Sequence, residues 1–205
     1  MRKLTVSAFI SLDGVIQAPG GPDEDRDGSF AFGGWTVPYA DEAIGAHVHG
    51  LLSQPFELLL GRRTYDIFAS YWPNVPADSH SSAIADKFNA VAKHVATHRG
   101  DDLRWHNSHA LNGELAGAVR ALTHQDGADL VTFGSADMAR QLLAAGLIDE
   151  LCLLTYPVIL GRGRRLFDDD ARPSAFTLAH SAVTPGGVVI ARYVRHGDVR
   201  TGSFE

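Results

Sequence analysis

The chain has 205 residues, 45% of them hydrophobic and 20% charged, which suits one globular domain with a full core. A net charge of -6 with a pI near 5.9 argues against broad binding to nucleic acid or to a membrane surface. The lone cysteine, Cys152, excludes an intramolecular disulfide and a cysteine-rich zinc site, and no apolar run reaches membrane-spanning length.

In chain order the first element reads as a strand. Leu4, Val6, Ala8, Ile10 and Leu12 fall on one face and Thr5, Ser7, Phe9 and Ser11 on the other, a period of two. That alternation argues against a signal peptide, so a cytoplasmic protein is expected. Asp13-Gly14 ends the strand. Residues 18–34, rich in Gly, Pro and Asp, read as a long loop, of the kind that serves as a functional cover or a disordered tip. Pro38 to Leu52 fits a helix with Ile44, Val48, Leu51 and Leu52 on one stripe. Phe56 to Leu60 is a second strand, followed by Tyr65 and Phe68 at helical spacing. Ile84, Phe88 and Val91 mark a further helix, and His94 to Thr97 a short strand.

Asn112 is placed to cap a helix carrying Leu115, Val119 and Leu122, with Gly127 beyond its end. Leu130 to Phe133 reads as a buried strand. Ser135 then caps a helix with Met138, Leu142 and Ala145 on one face, and Leu151 to Thr155 follows as a strand. Ala175 to Val194 reads as a hairpin around Pro185-Gly186-Gly187. Strands alternating with helices predict an α/β protein in three layers. Its sheet is mixed and mostly parallel, closed by a C-terminal antiparallel hairpin, in a single domain with its core over about 4–194.

Two strand-to-helix turns carry the first chemical signal, Gly61-Arg62-Arg63-Thr64 and Gly134-Ser135-Ala136. Glycine lets the backbone come close to a ligand, and a helix start offers unpaired N–H groups, a combination that favours phosphate. Cations are electrostatically misplaced at a helix N-terminus, so Arg62 and Arg63 call for an anion between them. Each turn also has an ordinary reading, with Thr64 and Ser135 as plain caps. Thr97, His98 and Arg99 suit one more phosphate, such as the 2′-phosphate of NADP, or form a solvated loop.

For acid–base work the candidates are Asp13 and Asp41. Asp41 shares the core-facing stripe of its helix, where partial desolvation would raise its pKa and suit it to proton delivery. The alternative is an acid favoured by the helix dipole, and for Asp13 an ordinary turn residue. Trp35, Phe68 and Trp72 belong to an aromatic group suited to walling a planar heterocycle. No metal is expected: His47 and His49 point differently on a helix, and His106 and His109 have no carboxylate or cysteine partner nearby.

The segments "SAFISLDGVI", "LLLGRRTYDIFASYWP", "VTFGSADMARQLLAAGLIDEL" and "YPVILGRGRRLF", in this order, resemble the dihydrofolate-reductase-like family. The closer similarity is to the reductase domain of bifunctional riboflavin-biosynthesis deaminase-reductases, over nearly the whole chain. The resemblance implies NADPH lying across the carboxyl edge of the sheet. Gly61, Arg62, Arg63 and Thr64 would take cofactor phosphates, Thr97, His98 and Arg99 the adenosine side, and Gly134, Ser135 and Ala136 the pyrophosphate. Ala8 and Ile10 would lie along the nicotinamide, with Asp13 and Gly14 where the first strand meets a mobile substrate loop. Trp35, Phe68, Trp72 and Tyr156 would surround the substrate, with Arg162, Arg164 or Arg165 on a substrate phosphate.

The zinc deaminase half of the bifunctional enzymes is missing, so the implied activity is reduction alone, of a C=N or C=O bond in a small heterocyclic substrate. The family's best-defined substrate is the phosphoribosylamino pyrimidine of the riboflavin path. The rivals are a dihydrofolate or pterin reductase and an NADP-binding protein without turnover. The expected partner is a small molecule, not nucleic acid or membrane, and the expected assembly a homodimer.

Overall fold

The alternation of the first segment becomes strand β1 (Leu4–Ser11) in the computed structural model, which describes residues 1–99, 102–169 and 171–204. Among these residues the further strands are β2 (Phe56–Gly61), β3 (Lys93–Ala96), β4 (Ser108–Leu111), β5 (Asp129–Phe133), β6 (Glu150–Tyr156), β7 (Ala175–Val183) and β8 (Val189–Gly197). The helices are α1 (Glu42–Ser53), α2 (Arg62–Tyr71), α3 (Ser82–Ala90), α4 (Leu115–Thr123) and α5 (Ala136–Ala144). All eight strands join one sheet in the order β4-β3-β2-β5-β1-β6-β8-β7. The first six in that order pair in parallel, while β8 and β7 run antiparallel. The fold is therefore the expected α/β sandwich with a closing hairpin.

The period of two in β1 feeds two separate cores. Leu4, Val6, Ala8 and Ile10 pack with Leu59, Leu130 and Leu151 against Val119 and Leu122 of α4 and Met138 and Leu142 of α5. On the opposite face Leu58, Leu60 and Val131 meet Leu52, Tyr65 and Phe88, while Leu154, Tyr156 and Ile190 meet Trp35 and Ile44. Each of the fully buried leucines contributes roughly 2 kcal/mol of apolar transfer free energy. With both faces covered, the central strands need continuous apolar runs, which is why "LLL" and "LVTF" sit at β2 and β5.

Several expectations need correction. β1 stops at Ser11, and Leu12 is exposed because the chain has already turned away at Asp13-Gly14. α1 starts at Glu42, since Asp41 caps it, and Val37–Tyr39 is a separate 3-10 turn. Glu114, not Asn112, caps α4, accepting from Ala116 N at 2.8 Å and Gly117 N at 2.7 Å. Residues 18–34 form a folded loop with buried anchors. Ala18 and Phe30 join the core beside Trp35, whose Nε1 donates to Gln17 O at 2.8 Å, and Gln17 Nε2 donates in turn to Asp25 O and Asp27 O. Gly33 is obligatory here, because a Cβ would lie 2.6 Å from Gly21 O. β4 was not legible in the sequence.

β3 opens with a fully buried lysine. Lys93 Nζ donates to Asn89 O, Val91 O and His106 O at 2.8–2.9 Å and lies 4.4 Å from the centre of the Trp105 ring.

Candidate functional site

The carboxyl ends of β1, β2, β3 and β5 open into one cavity of about 1180 Å³, at the sheet edge where open α/β sheets bind ligands. It has room for more than a drug-sized molecule, which ordinarily occupies roughly 300–1,000 Å³. One end is formed by the two glycine turns together with Thr97, His98 and Arg99. The other lies among Phe9 of β1, His47 and Leu51 of α1, Phe68 and Trp72, and the loop around Glu24 and Asp25.

The two turns are tied together by Ser135. Its Oγ accepts from Gly61 N at 2.9 Å and donates to Thr64 Oγ1 at 2.8 Å, so it does not cap α5. Thr64, inside the first turn of α2, is equally not a cap, a position held by Gly61. Ser135 sits in the left-handed region (φ 60°, ψ 60°), a conformation that costs a non-glycine residue about 1–2 kcal/mol. At Gly61 a Cβ would crowd Ser135 Oγ at 3.1 Å, so glycine is what lets the turns meet. Gly134 has φ +81° and nothing within 4 Å of where a Cβ would stand. Gly134 lines the cavity just before the start of α5, whose first N–H groups are unpaired within the helix, so glycine leaves open space there for a ligand.

The anions opposite Arg62 and Arg63 are carboxylates of the chain itself. Arg62 Nε donates to Asp66 at 2.8 Å, its Nη2 lies 3.5 Å from Asp102, and its Nη1 donates to Arg99 O at 3.0 Å. Arg63 lies 3.2 Å from Asp25 and 3.1 Å from Asp27. Arg164 closes the same network on Asp25 and, at 2.6 Å, on Asp27. The folded 18–34 loop is thus fastened by ion pairs to α2 on one side and to the loop after β6 on the other. Among the described residues the Arg99 guanidinium has no ion pair.

Asp13 and Asp41 do not have the environment expected of proton donors. Burial works against charge on Asp13, but donors from Ser11 Oγ (2.6 Å), Leu160 N (3.1 Å) and Gly161 N (2.8 Å) outweigh it and hold its pKa down at about 2. Asp41 accepts from Ile44 N at 2.9 Å, and that bond lowers its pKa where the sequence suggested a raised one. Neither lines the cavity, and neither do Ile10 or Gly14. Gly14, at φ +84°, instead lets the chain fold back under Arg165. Ala8, Gly61, Arg62, Arg63, Thr64, Thr97, His98, Arg99, Gly134, Ser135 and Ala136 all line it.

Of the four aromatics assigned to substrate, Phe68 and Trp72 are cavity walls. Trp35 and Tyr156 pack edge to face, 5.3 Å apart, inside the core, where burial pushes Tyr156 up to about 12. Arg162 and Arg165 lie outside the cavity, with Arg165 beside Asp13.

His47 was set aside in the sequence as a metal ligand, yet among the described residues it is the one imidazole at the Phe9–Phe68 end. Its Nε2 lies 3.2 Å from Cys152 Sγ, and among the described residues no hydrogen bond engages its Nδ1. Burial, and then the nearby His180, lower its pKa, while burial raises that of the Cys152 thiol.

The RibD C-terminal domain family matches residues 2–190, and the chain belongs to it. The protein YyaP of Bacillus subtilis (strain 168), itself uncharacterised, is 22% identical over 196 residues, covering 96% of both chains. A protein from Shewanella sp. PV-4 assigned to riboflavin biosynthesis superposes with a TM-score of 0.62 at 18% identity, over 96% of this chain and 99% of that one. A pyrimidine reductase-like protein of Corynebacterium diphtheriae gives a TM-score of 0.59 at 16% identity, over 96% and 93%. At these identities the two structures speak for the fold. No helix among the described residues is long and apolar enough to cross a membrane.

Proposed function

We propose that the chain is an NADPH-dependent reductase acting on a C=N or C=O bond of a small heterocyclic acceptor, the class that includes the ribosylamino pyrimidines of riboflavin biosynthesis. The observation that carries this is the pair of glycine turns, locked by Ser135, that line a cavity of about 1180 Å³. When bound, NADPH supplies the hydride. Gly134, Ala136 and the first turns of α2 and α5 would hold its pyrophosphate through backbone N–H groups, and Arg99 would meet the 2′-phosphate. Ala8 and Phe9 floor the join between the two ends, and Phe68 and Trp72 wall the acceptor.

The proton that completes the reduction comes from His47. Its lowered pKa makes the imidazolium a stronger acid than free imidazole, and Nδ1 gives the proton to the heteroatom that receives the electron pair. His180 and Cys152 face the ring, with Arg192 and Glu150 behind the thiol. His47→Gln should lower kcat about a hundredfold with the Kd for NADPH unchanged. In the unaltered protein kcat should fall as pH rises through a pKa below 6.5, the ordinary histidine value, and that limb should vanish in the variant. An unchanged pH profile in His47→Gln would assign the proton elsewhere.

Titration with NADPH and with NADH, read by nicotinamide fluorescence and thermal shift, tests the cofactor. NADPH should bind more tightly, and Arg99→Ala should narrow the difference; no binding of either would sink the reductase reading. Binding of NADPH without oxidation on any pyrimidine, pterin or carbonyl acceptor would instead leave a cofactor-binding protein. The pterin alternative is weakened, since Asp41, the acid it relied on, caps α1.

A further inference from the structure

The cavity differs in charge between its ends. Where the 18–34 loop meets the acceptor end, the cations are Arg63, whose side chain reaches there from the first turn of α2, and Arg164, and no lysine lines the cavity among the described residues. Both arginines are matched one for one by Asp25 and Asp27, at 3.2 Å or less in every pairing. Asp25 is the centre of this network, with a side chain only 10% exposed. Asp23 is matched by Arg26 within the loop. One carboxyl remains over: Glu24, whose Oε2 is held by Gly20 N at 2.6 Å and Gly21 N at 3.2 Å. Its pKa is raised, first by burial and further by Asp25, as befits an acid with no cation of its own.

A phosphate at this end would have to displace one carboxylate from two arginines while lying near another. The cost falls on Asp25, whose side chain is only 10% exposed and would be left with its charge poorly solvated if its arginines were drawn away. Arg99, whose guanidinium has no ion pair among the described residues, suits an anion better and lines the cavity beside the turns with Thr97 and His98.

We infer that the acceptor carries no phosphate and is a neutral or singly cationic ring compound, the loop acids Asp25 and Asp27 having taken the place of a substrate anion on Arg63 and Arg164. This rests on the reductase reading and narrows its substrate class. It sets the chain apart from a reductase of phosphorylated sugar intermediates: in a reaction sequence, a phosphate-releasing step would precede this one, or the acceptor would never have been phosphorylated.

The test is a matched pair of ribosylamino pyrimidines, with and without the 5′-phosphate, offered to the protein at saturating NADPH. Turnover and thermal shift are both read. The form without phosphate should be preferred at least about tenfold in Kd or kcat/KM. Asp25→Asn/Asp27→Asn, its fold checked by melting in the absence of ligand, should reverse the preference by freeing both arginines. If neither compound binds the unaltered protein but the variant gains the phosphorylated one, the masking of the arginines is supported. Equal or better use of the phosphorylated form by the unaltered protein overturns the inference. So does a variant that fails to gain it. Loss of NADPH binding itself would count against the reductase reading and is seen separately, in the cofactor titration.

Discussion

Gly134→Val is expected to weaken NADPH binding about a hundredfold while costing the fold roughly 2 kcal/mol. The two effects separate because of where the new side chain goes. At φ +81° any L-residue is strained, and a β-branched one more than most. Yet apart from its chain neighbours no atom lies within 4 Å of the Cβ position, and Gly134 lines the cavity, so the added side chain is expected to take up cavity space next to the start of α5. Gly28→Val is the matched control. Gly28 also has positive φ (+62°) and open space around its Cβ position, but it lies outside the cavity lining. It should show a similar loss of melting temperature with NADPH affinity intact. Titration of both variants by nicotinamide fluorescence decides the matter. Equal affinities would mean that the Gly134 turn is punctuation between β5 and α5 and holds no phosphate.

What could be picked out of the sequence, and what could not, follows from the range of the forces involved. β2, β5 and β6 announce themselves because a strand buried on both faces needs a local run of apolar residues, and β1 does so by its period of two. β4, reading "SHAL", has no such run. It exists because Lys93, His94, Val95 and Ala96 offer an edge to pair with, and His109 lies across from His94. The capping role of Asp41 was within reach, since the bond to Ile44 spans three residues. The anchoring of Asp13 was not, because Leu160 and Gly161 come from the far end of the chain. The same holds for the arginines. A local reading shows two cations needing an anion, whereas Asp25 and Asp27 arrive on a loop whose folding depends on Trp35, Phe30 and Gln17. His47 was weighed only as a metal ligand, because nothing local shows that β6 sets Cys152 beside it. Local geometry was legible, and the identity of each side chain's partner was not.

Lys93→Met should destabilise the protein by about 2–4 kcal/mol at pH 7, among the largest effects of any single substitution outside the site. Methionine fills the same slot without the charge, yet it donates to none of the three carbonyls that Lys93 Nζ now satisfies, two of them from the C-terminal end of α3. Buried acceptors stripped of a donor lose more than the net value of the bonds. The pH dependence separates the cost of burying the charge from the value of the cage. Burial pushes the Lys93 pKa down from 10.5 to about 8. A pKa lower in the folded state than in the unfolded one means that the unfolded chain binds more protons between those values. Stability should therefore rise with pH across that window, by up to about 3 kcal/mol relative to Lys93→Met. Below pH 8 both states carry the charge and the difference is flat. Urea unfolding of the two proteins at pH 7 and pH 10 measures it, the variant cancelling the titration of other groups. A difference that stays constant would show that the three carbonyls and the Trp105 face keep the ammonium charged throughout. In that case the lysine is a permanent cation capping α3, and its buried charge is fully offset by the groups around it.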